Sequence, residues 1–340
     1  MEPAPAAQQQ REGRLAEMEA QRGAAASVAG ARREACLALV STLRSQCPEK
    51  GFLFHEGLEF GAAESTGEVW VQLRAAVTEG EILLVVPHSA VLCKAQLPDR
   101  AALVSESGGA VYMQALLEDV AKRFRQHVLG ESPLQVGDVQ QILLVMNSLH
   151  AEWTGDGPWA RQKGPVYAAT WPAAAEMGHL AMYWTEETLA ASEGTMAGGL
   201  VKALHVTARQ IFDDVLAPAL ADAGVSRCFV PASDIDTAVA ADLNGKLWEA
   251  YRHAVSIQMS RAHDGEAGPE LVPLVDLIDG VPQVCSSAAN VELAAGKWPF
   301  ISGNTFRNDC DLDCSAIYAL RDIAVGERLL ISYGDVSPSG

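Results

Sequence analysis

The spacing of apolar side chains changes period along the chain, and each change predicts a different element. Between residues 31 and 47, Ala35, Leu39 and Leu43 recur at steps of four with Cys36 and Val40 beside them, which predicts a helix that Pro48 and Gly51 end. Residues 1–30 are mostly Ala, Gln, Glu and Arg with few large apolar side chains, so they can form helix yet have little to bury; a frayed or disordered leader is expected there. After residue 51 the period becomes two. Val69, Val71 and Leu73 alternate with Trp70, Gln72 and Arg74, and after Thr78-Glu79-Gly80-Glu81 comes the run Ile82-Leu83-Leu84-Val85-Val86-Pro87. This reads as a pair of strands joined through a turn.

From residue 101 to about 250 the pattern is mainly helical, with apolar steps over 111–120, 139–149 and 200–219 and an interruption rich in Trp, Pro and Gly over 153–172. Strand signals return at 271–275, 290–293, 315–320 and 329–333. Strands, a long helical stretch and strands again predict one sheet system split in sequence. No internal repeat of twenty to fifty residues is present, which argues against a solenoid.

Composition narrows the function. With 49% hydrophobic residues in 340, the chain can bury a sizeable core. Its 43 Asp and Glu outnumber 25 Lys and Arg, and the whole of the excess lies after residue 50. A field of that sign repels phosphate backbones and anionic headgroups, so nucleic acid and membrane surfaces are not expected partners, while a protein substrate or partner with a basic segment is. No apolar run reaches membrane-spanning length and the first ten residues lack the order of a secretory signal. The seven scattered cysteines suit reduced thiols. A cytoplasmic location is expected, with plastid or nucleus as alternatives; the leader's Glu2, Glu12, Glu17 and Glu19 lower the plastid expectation.

The chain lacks a phosphate-cradling glycine loop, a dinucleotide fingerprint, a nucleophile elbow and histidine pairs at metal spacing. Acids alternate in Asp309-Cys310-Asp311-Leu312-Asp313-Cys314, but a calcium loop would need Gly and Glu where Cys314 and Leu320 stand. One wet and one dry strand face describes the stretch better, and no metal is expected.

Three segments together resemble the SET-domain protein methyltransferases, in the branch of the RuBisCO large-subunit lysine methyltransferase and the actin-histidine methyltransferase. The most specific runs through Ile323-Ala324-Val325-Gly326-Glu327 to Ile331-Ser332-Tyr333-Gly334, which resembles the family's closing strand, Gly-Glu turn and Tyr-Gly signature. Before it, Ser260-Arg261 and then Val272-Pro273 and Asp276 resemble the Ser-Arg, Val-Pro and Asp-x-x-Asn-His stretch, and residues 76–87 resemble the first hairpin. The order of tryptophans Trp159, Trp171 and Trp184 resembles the helical insert of that branch.

The resemblance implies an α+β, split SET-type β fold with a long helical insertion: a helical or partly disordered leader over 1–50, sheet segments over 51–100 and 256–337, and a helical insert over 101–255. The helical substrate-binding domain that often follows in this branch is not expected here. It implies S-adenosylmethionine as cofactor and methylation of a protein lysine, or of histidine as the relatives allow. It also implies Tyr333 as the catalytic residue, its hydroxyl facing the methyl and amine, and Ser260, Arg261 and Asp276 as residues bordering the cofactor. Each position has a plainer reading: Tyr333 as a core tyrosine, and Arg261 with Asp276 as an ion pair fastening a helix to the following strand. Two departures from the family pattern stand out. Asp279-Gly280 replace Asn-His, losing an amide donor and an imidazole, and Glu68-Val69-Trp70-Val71-Gln72 stand where Gly-x-Gly lets backbone approach the cofactor. A SET-like module that binds a protein without catalysis is therefore the alternative.

Overall fold

The computed structural model describes residues 5–47, 51–63, 66–97, 102–128, 130, 132–150, 164–230, 242–265, 268–281, 283–302 and 305–332. Among them no helix is long and apolar enough to cross a membrane. The chain divides into two compact units, one of Met1–Pro87 with Leu277–Gly340 and one of His88–Asp276.

The first unit carries a six-stranded sheet built from both ends of the chain. In spatial order its strands are β1 (Leu53–Phe54), β4 (Ile82–Pro87), β11 (Thr305–Ala319), β10 (Val291–Ser302), β12 (Leu330–Ser332) and β9 (Asp279–Val281). β4 pairs antiparallel with β11, Val85 opposite Ala316, so the expected joining of early and late strands is present. The expected pairing of residues 68–73 with 82–87 is not. Strand β3 (Glu68–Leu73) pairs instead with β2 (Leu58–Ala63) in a separate hairpin. The reason is hydrogen-bonding partners: Val77 and Ile323 exchange backbone bonds of 3.1 and 3.0 Å, and Leu329 N–H donates to Val71 O at 2.9 Å. The segment after β3 is thus paired with residues 323–329 and is not free to fold back on β4.

Helix α1 (Pro5–Gln46) is continuous, so the helix expected from residue 31 extends back through the leader, for which helix or partial disorder was expected. Its composition of Ala, Gln, Glu and Arg favours helix even where there is nothing to bury. Among its described side chains Ala29, Cys36, Leu39, Val40 and Leu43 are buried, and the helix packs on β2 and β3.

The second unit is largely helical. Helix α3 (Val136–His150) is buried on every side between residues 139 and 148, and its buried Gln140, Gln141 and Ser148 donate to the carbonyls of Leu117, Leu92 and Leu144. It packs against α2 (Met113–His127) and against the helix Leu243–Arg261. Short helices α4 (Gly164–Ala168) and α5 (Glu186–Ala191) precede α6 (Met196–Ile211). α6 runs through a π turn, Phe212–Leu216, into α7 (Ala217–Asp222). The π turn falls just before Pro218, which cannot donate the next α-type bond. The helix Leu243–Arg261 is α8. Small hairpins β5 (Ala102–Val104) with β6 (Ala110–Tyr112) and β7 (His263–Gly265) with β8 (Gly268–Glu270) complete the unit.

Residues 271–275 do not form the strand their apolar run predicts. Leu271 and Leu92 exchange backbone bonds of 3.1 and 2.9 Å, after which Pro273 lacks an N–H and Leu274 adopts φ 72°. Together they turn the chain inside the core, and the segment stays buried.

Candidate functional site

Ser260 and Arg261 end α8, and Asp276 follows the buried turn, so the two segments meet within the second unit. Arg261 Nη1 donates to the Asp276 carbonyl at 3.0 Å and to its Oδ2 at 3.3 Å. Burial of the Asp276 carboxyl raises its pKa, and the Arg261 charge opposes that shift. Ser260 Oγ donates back to Ser256 O at 2.7 Å, capping a carbonyl of its own helix.

Two aromatic residues complete this cluster. Tyr167 and Trp171 meet edge to face with centroids 4.8 Å apart. Their polar atoms lie beside the Asp276 carboxyl, and burial together with the Asp276 charge pushes the Tyr167 hydroxyl well above its usual pKa. Tyr167 Oη and Trp171 Nε1 are close enough to the Asp276 carboxyl to oppose the rise in its pKa, while the three polar atoms fall short of full hydrogen-bond geometry among the described residues. Buried polar atoms left in that state cost about 1–3 kcal/mol each and are places where a ligand or a water can gain free energy. The resemblance pointed to Arg261 and Asp276, gave Trp171 only as one of the ordered tryptophans of the insert and passed over Tyr167, because nothing in spacing marks an aromatic residue whose polar end meets a buried carboxylate.

Tyr333 lies outside the described residues. The strand leading to it, β12, pairs in parallel with β9: Leu330 is opposite Asp279, Ile331 opposite Gly280 and Ser332 opposite Val281. The Asp279-Gly280 departure is therefore hydrogen-bonded register by register to the strand that enters the Tyr-Gly signature.

The second departure belongs to the same unit and is tied to the first. Arg328 packs its guanidinium on the Trp70 ring at 3.5 Å from carbon to centroid and reaches both Asp279 and Glu68 at 3.3 Å. Trp70 Nε1 donates to Gln72 Oε1 at 2.7 Å, and Gln72 Nε2 donates to Glu59 Oε1 at 2.7 Å. Beneath the ring lies Gly61, where a Cβ would collide with Trp70 and the Gln72 side chain. Sequence reading identified Trp70 and Asp279 separately; Arg328, the residue that joins them, carried no signal in the sequence.

S-adenosylmethionine is a nucleoside with a zwitterionic amino-acid end. The Arg261–Asp276 cluster carries groups of the kind that end needs, a guanidinium for a carboxylate and a carboxylate for an ammonium, with the Asp276 side chain fully buried and bonded to Arg261. The acid Asp279 and the indole of Trp70 are engaged with Arg328. As for metals, Asp313 is exposed and Cys314 buried, the wet and dry faces expected, and the other side chains of the 309–314 stretch lie outside the described residues. Among the described residues no group of three His, Cys, Asp or Glu could hold a metal ion.

No family model matches the chain, and no curated protein matches it in sequence. Solved structures do resemble it. The SET domain of LSMT bound to lysine and AdoHcy is 14% identical with a TM-score of 0.50, covering 88% of this chain and 54% of that one. Rubisco LSMT bound to AdoMet is 13% identical with a TM-score of 0.45, covering 88% and 53%. The chain spans about half the length of these neighbours. At that identity the likeness is one of architecture, and the architecture, a β fold assembled from both ends of the chain around a helical insertion, is that of a SET domain.

Proposed function

We propose that the chain is an S-adenosylmethionine-dependent protein lysine N-methyltransferase of the SET type, in the branch the sequence resembles. The observation that carries this reading is the SET architecture, within which β12 runs in register beside β9 toward Tyr333. The cofactor supplies an electrophilic methyl on a sulfonium, so the protein needs neither a covalent nucleophile nor a metal. Arg261 and Asp276 hold the amino-acid end of the cofactor, and Ser260 keeps the last turn of α8 formed so that Arg261 stays aimed. The target amine must lose its proton before it can attack; withholding water from the ammonium lowers its pKa from about 10.4. The Tyr333 hydroxyl orients the neutral amine. Residues 51–100 and 256–337 supply the β fold and 101–255 the insert. A basic segment of the substrate suits the acidic body.

Titration calorimetry of the full chain with S-adenosylmethionine and its demethylated product tests the reading. Micromolar binding, on the order of −8 kcal/mol, that weakens at least tenfold in Arg261→Met is expected. An absence of heat at millimolar ligand overturns it. Tyr333→Phe should keep that affinity and lose methyl transfer. A non-catalytic SET-like module is the second reading, and the observation favouring it is the engagement of Arg328 with both Trp70 and Asp279.

A further inference from the structure

Helix α6 is apolar on two faces, and only one of them is covered. Leu204, Ala208 and Ile211 are buried in the second unit. On the adjacent side Met196, Leu200, Ala203 and Val206 follow one another at steps of three and four and face solvent. Met196 is 83% exposed, Leu200 64% and Val206 63%, so these are whole side chains in water, lying contiguously along a helix. Single exposed apolar residues need no explanation; a stripe of them does.

The stripe continues into a groove of about 680 Å³ between α5 and α6, where Leu189, Ala190 and Met196 form apolar walls. The corner that shapes it is firmly built. Thr185 Oγ1 caps α5 by accepting from Thr188 N–H at 3.2 Å, and Thr195 Oγ1 caps α6 by accepting from Gly198 N–H at 3.0 Å. Gly198 lies so close to the Ser192 carbonyl that a Cβ there would collide with it. A groove held open by two caps and a close backbone contact is preformed, and a preformed surface loses little entropy on binding.

The rim is acidic. Glu186, Glu193 and Lys202 line the groove, Glu187 is exposed beside them, and none of the three carboxylates takes part in an ion pair among the described residues. From residue 186 to 214 there are five acids and two bases, Lys202 and Arg209, and Arg209 is already bound to Asp213 at 2.7 Å. A second copy of this chain would bring the same carboxylates face to face, which an isologous contact cannot relieve.

We infer that the α5–α6 face docks a partner protein through a basic amphipathic helix, whose apolar side covers Met196, Leu200 and Val206 and whose lysines or arginines meet Glu186, Glu187 and Glu193. This goes beyond methyl transfer and does not depend on it. The apolar stripe provides the buried area, and the acidic rim selects the sign and orientation of the partner.

The test uses a labelled 18-residue Leu/Lys helix with leucines on one side, a scrambled peptide of the same composition, and fluorescence anisotropy with the full chain at low and moderate salt. The Leu/Lys helix should bind in the micromolar range, and the scrambled peptide at least tenfold more weakly. Met196→Ser with Leu200→Ser, which alters only exposed side chains and should leave thermal unfolding unchanged, is expected to weaken binding at least tenfold. Neutralising Glu186, Glu187 and Glu193 to Gln should weaken binding at low salt and flatten its salt dependence. No binding of the Leu/Lys helix, equal binding of the scrambled peptide, or unchanged binding by the double serine variant each overturns the inference. So does a concentration-dependent dimer in sedimentation velocity that Leu200→Ser abolishes, since the face would then belong to a second copy.

Discussion

Arg328 joins Trp70 to Asp279: its guanidinium carbon sits 3.5 Å from the indole centroid, and Nη1 reaches the Asp279 carboxylate at 3.3 Å. Hairpin β2–β3 and strand β9 are linked by this one side chain. Because Arg328 is partly exposed, its ion pairs are screened, and the stacking on Trp70 carries more of its effect. Arg328→Ala should lower stability by about 1 kcal/mol in urea unfolding and change Trp70 fluorescence, whereas Arg328→Met should keep part of that stability through packing.

Gly61 has no room for a side chain while Trp70 lies over it. Gly61→Ala should cost about 1–3 kcal/mol in the native background, the usual range for overpacking. In a Trp70→Ala background the same change should cost far less. A double-mutant cycle by chemical denaturation measures the difference, and additive effects would mean that the ring is not what excludes the Cβ.

Burial lowers the pKa of His263 from 6.5 to about 4, with the Asp264 charge opposing the shift. Between those values the unfolded chain binds a proton that the folded chain does not. Its contribution is therefore complete above about pH 6.5 and is lost as pH falls toward 4. His263→Gln should flatten the decline of the urea midpoint across that window, relative to the native chain, and leave the dependence above pH 7 unchanged.

Leu274 is fully buried yet holds φ 72°, a backbone region costly for any residue with a Cβ. Truncation to Ala loses the side chain and retains the strain; truncation to Gly loses the side chain and relieves it. Leu274→Gly should therefore be at least as stable as Leu274→Ala, the reverse of the usual order, in which Gly is worse by about 0.5–1 kcal/mol. Calorimetric unfolding of the two variants side by side gives the ranking.

Periodicity was most informative where one rule governed a segment. The four-residue steps of Leu39 and Leu43 and the apolar run of α3 led directly to helices, and the late strand signals near residues 291, 316 and 331 fell on strands of the sheet. It misled where partners decided the outcome. The alternation of Val69, Val71 and Leu73 shows a strand but not whether it pairs with residues 58–63 or 82–87, and the run at 271–275 contains a proline whose effect depends on the bridge made by Leu271. At the candidate site, Arg261 and Asp276 were legible because they are fifteen residues apart in a segment with a recognisable pattern. Tyr167 and Arg328 were not, since their roles come from contacts across 109 and 258 residues that no local spacing encodes.

The discontinuity of the sheet unit also sets an order in time. The second unit is one uninterrupted stretch, so a ribosome has synthesised all of it before β9 is made. Strand β4 emerges early, but its partner in β11 follows about 230 residues later, and until then its apolar edge has no native neighbour. During synthesis Ile82–Pro87 is thus the exposed, β-branched segment a chaperone would be expected to shield, and the sheet cannot close through β11 until residues 305–319 have been made.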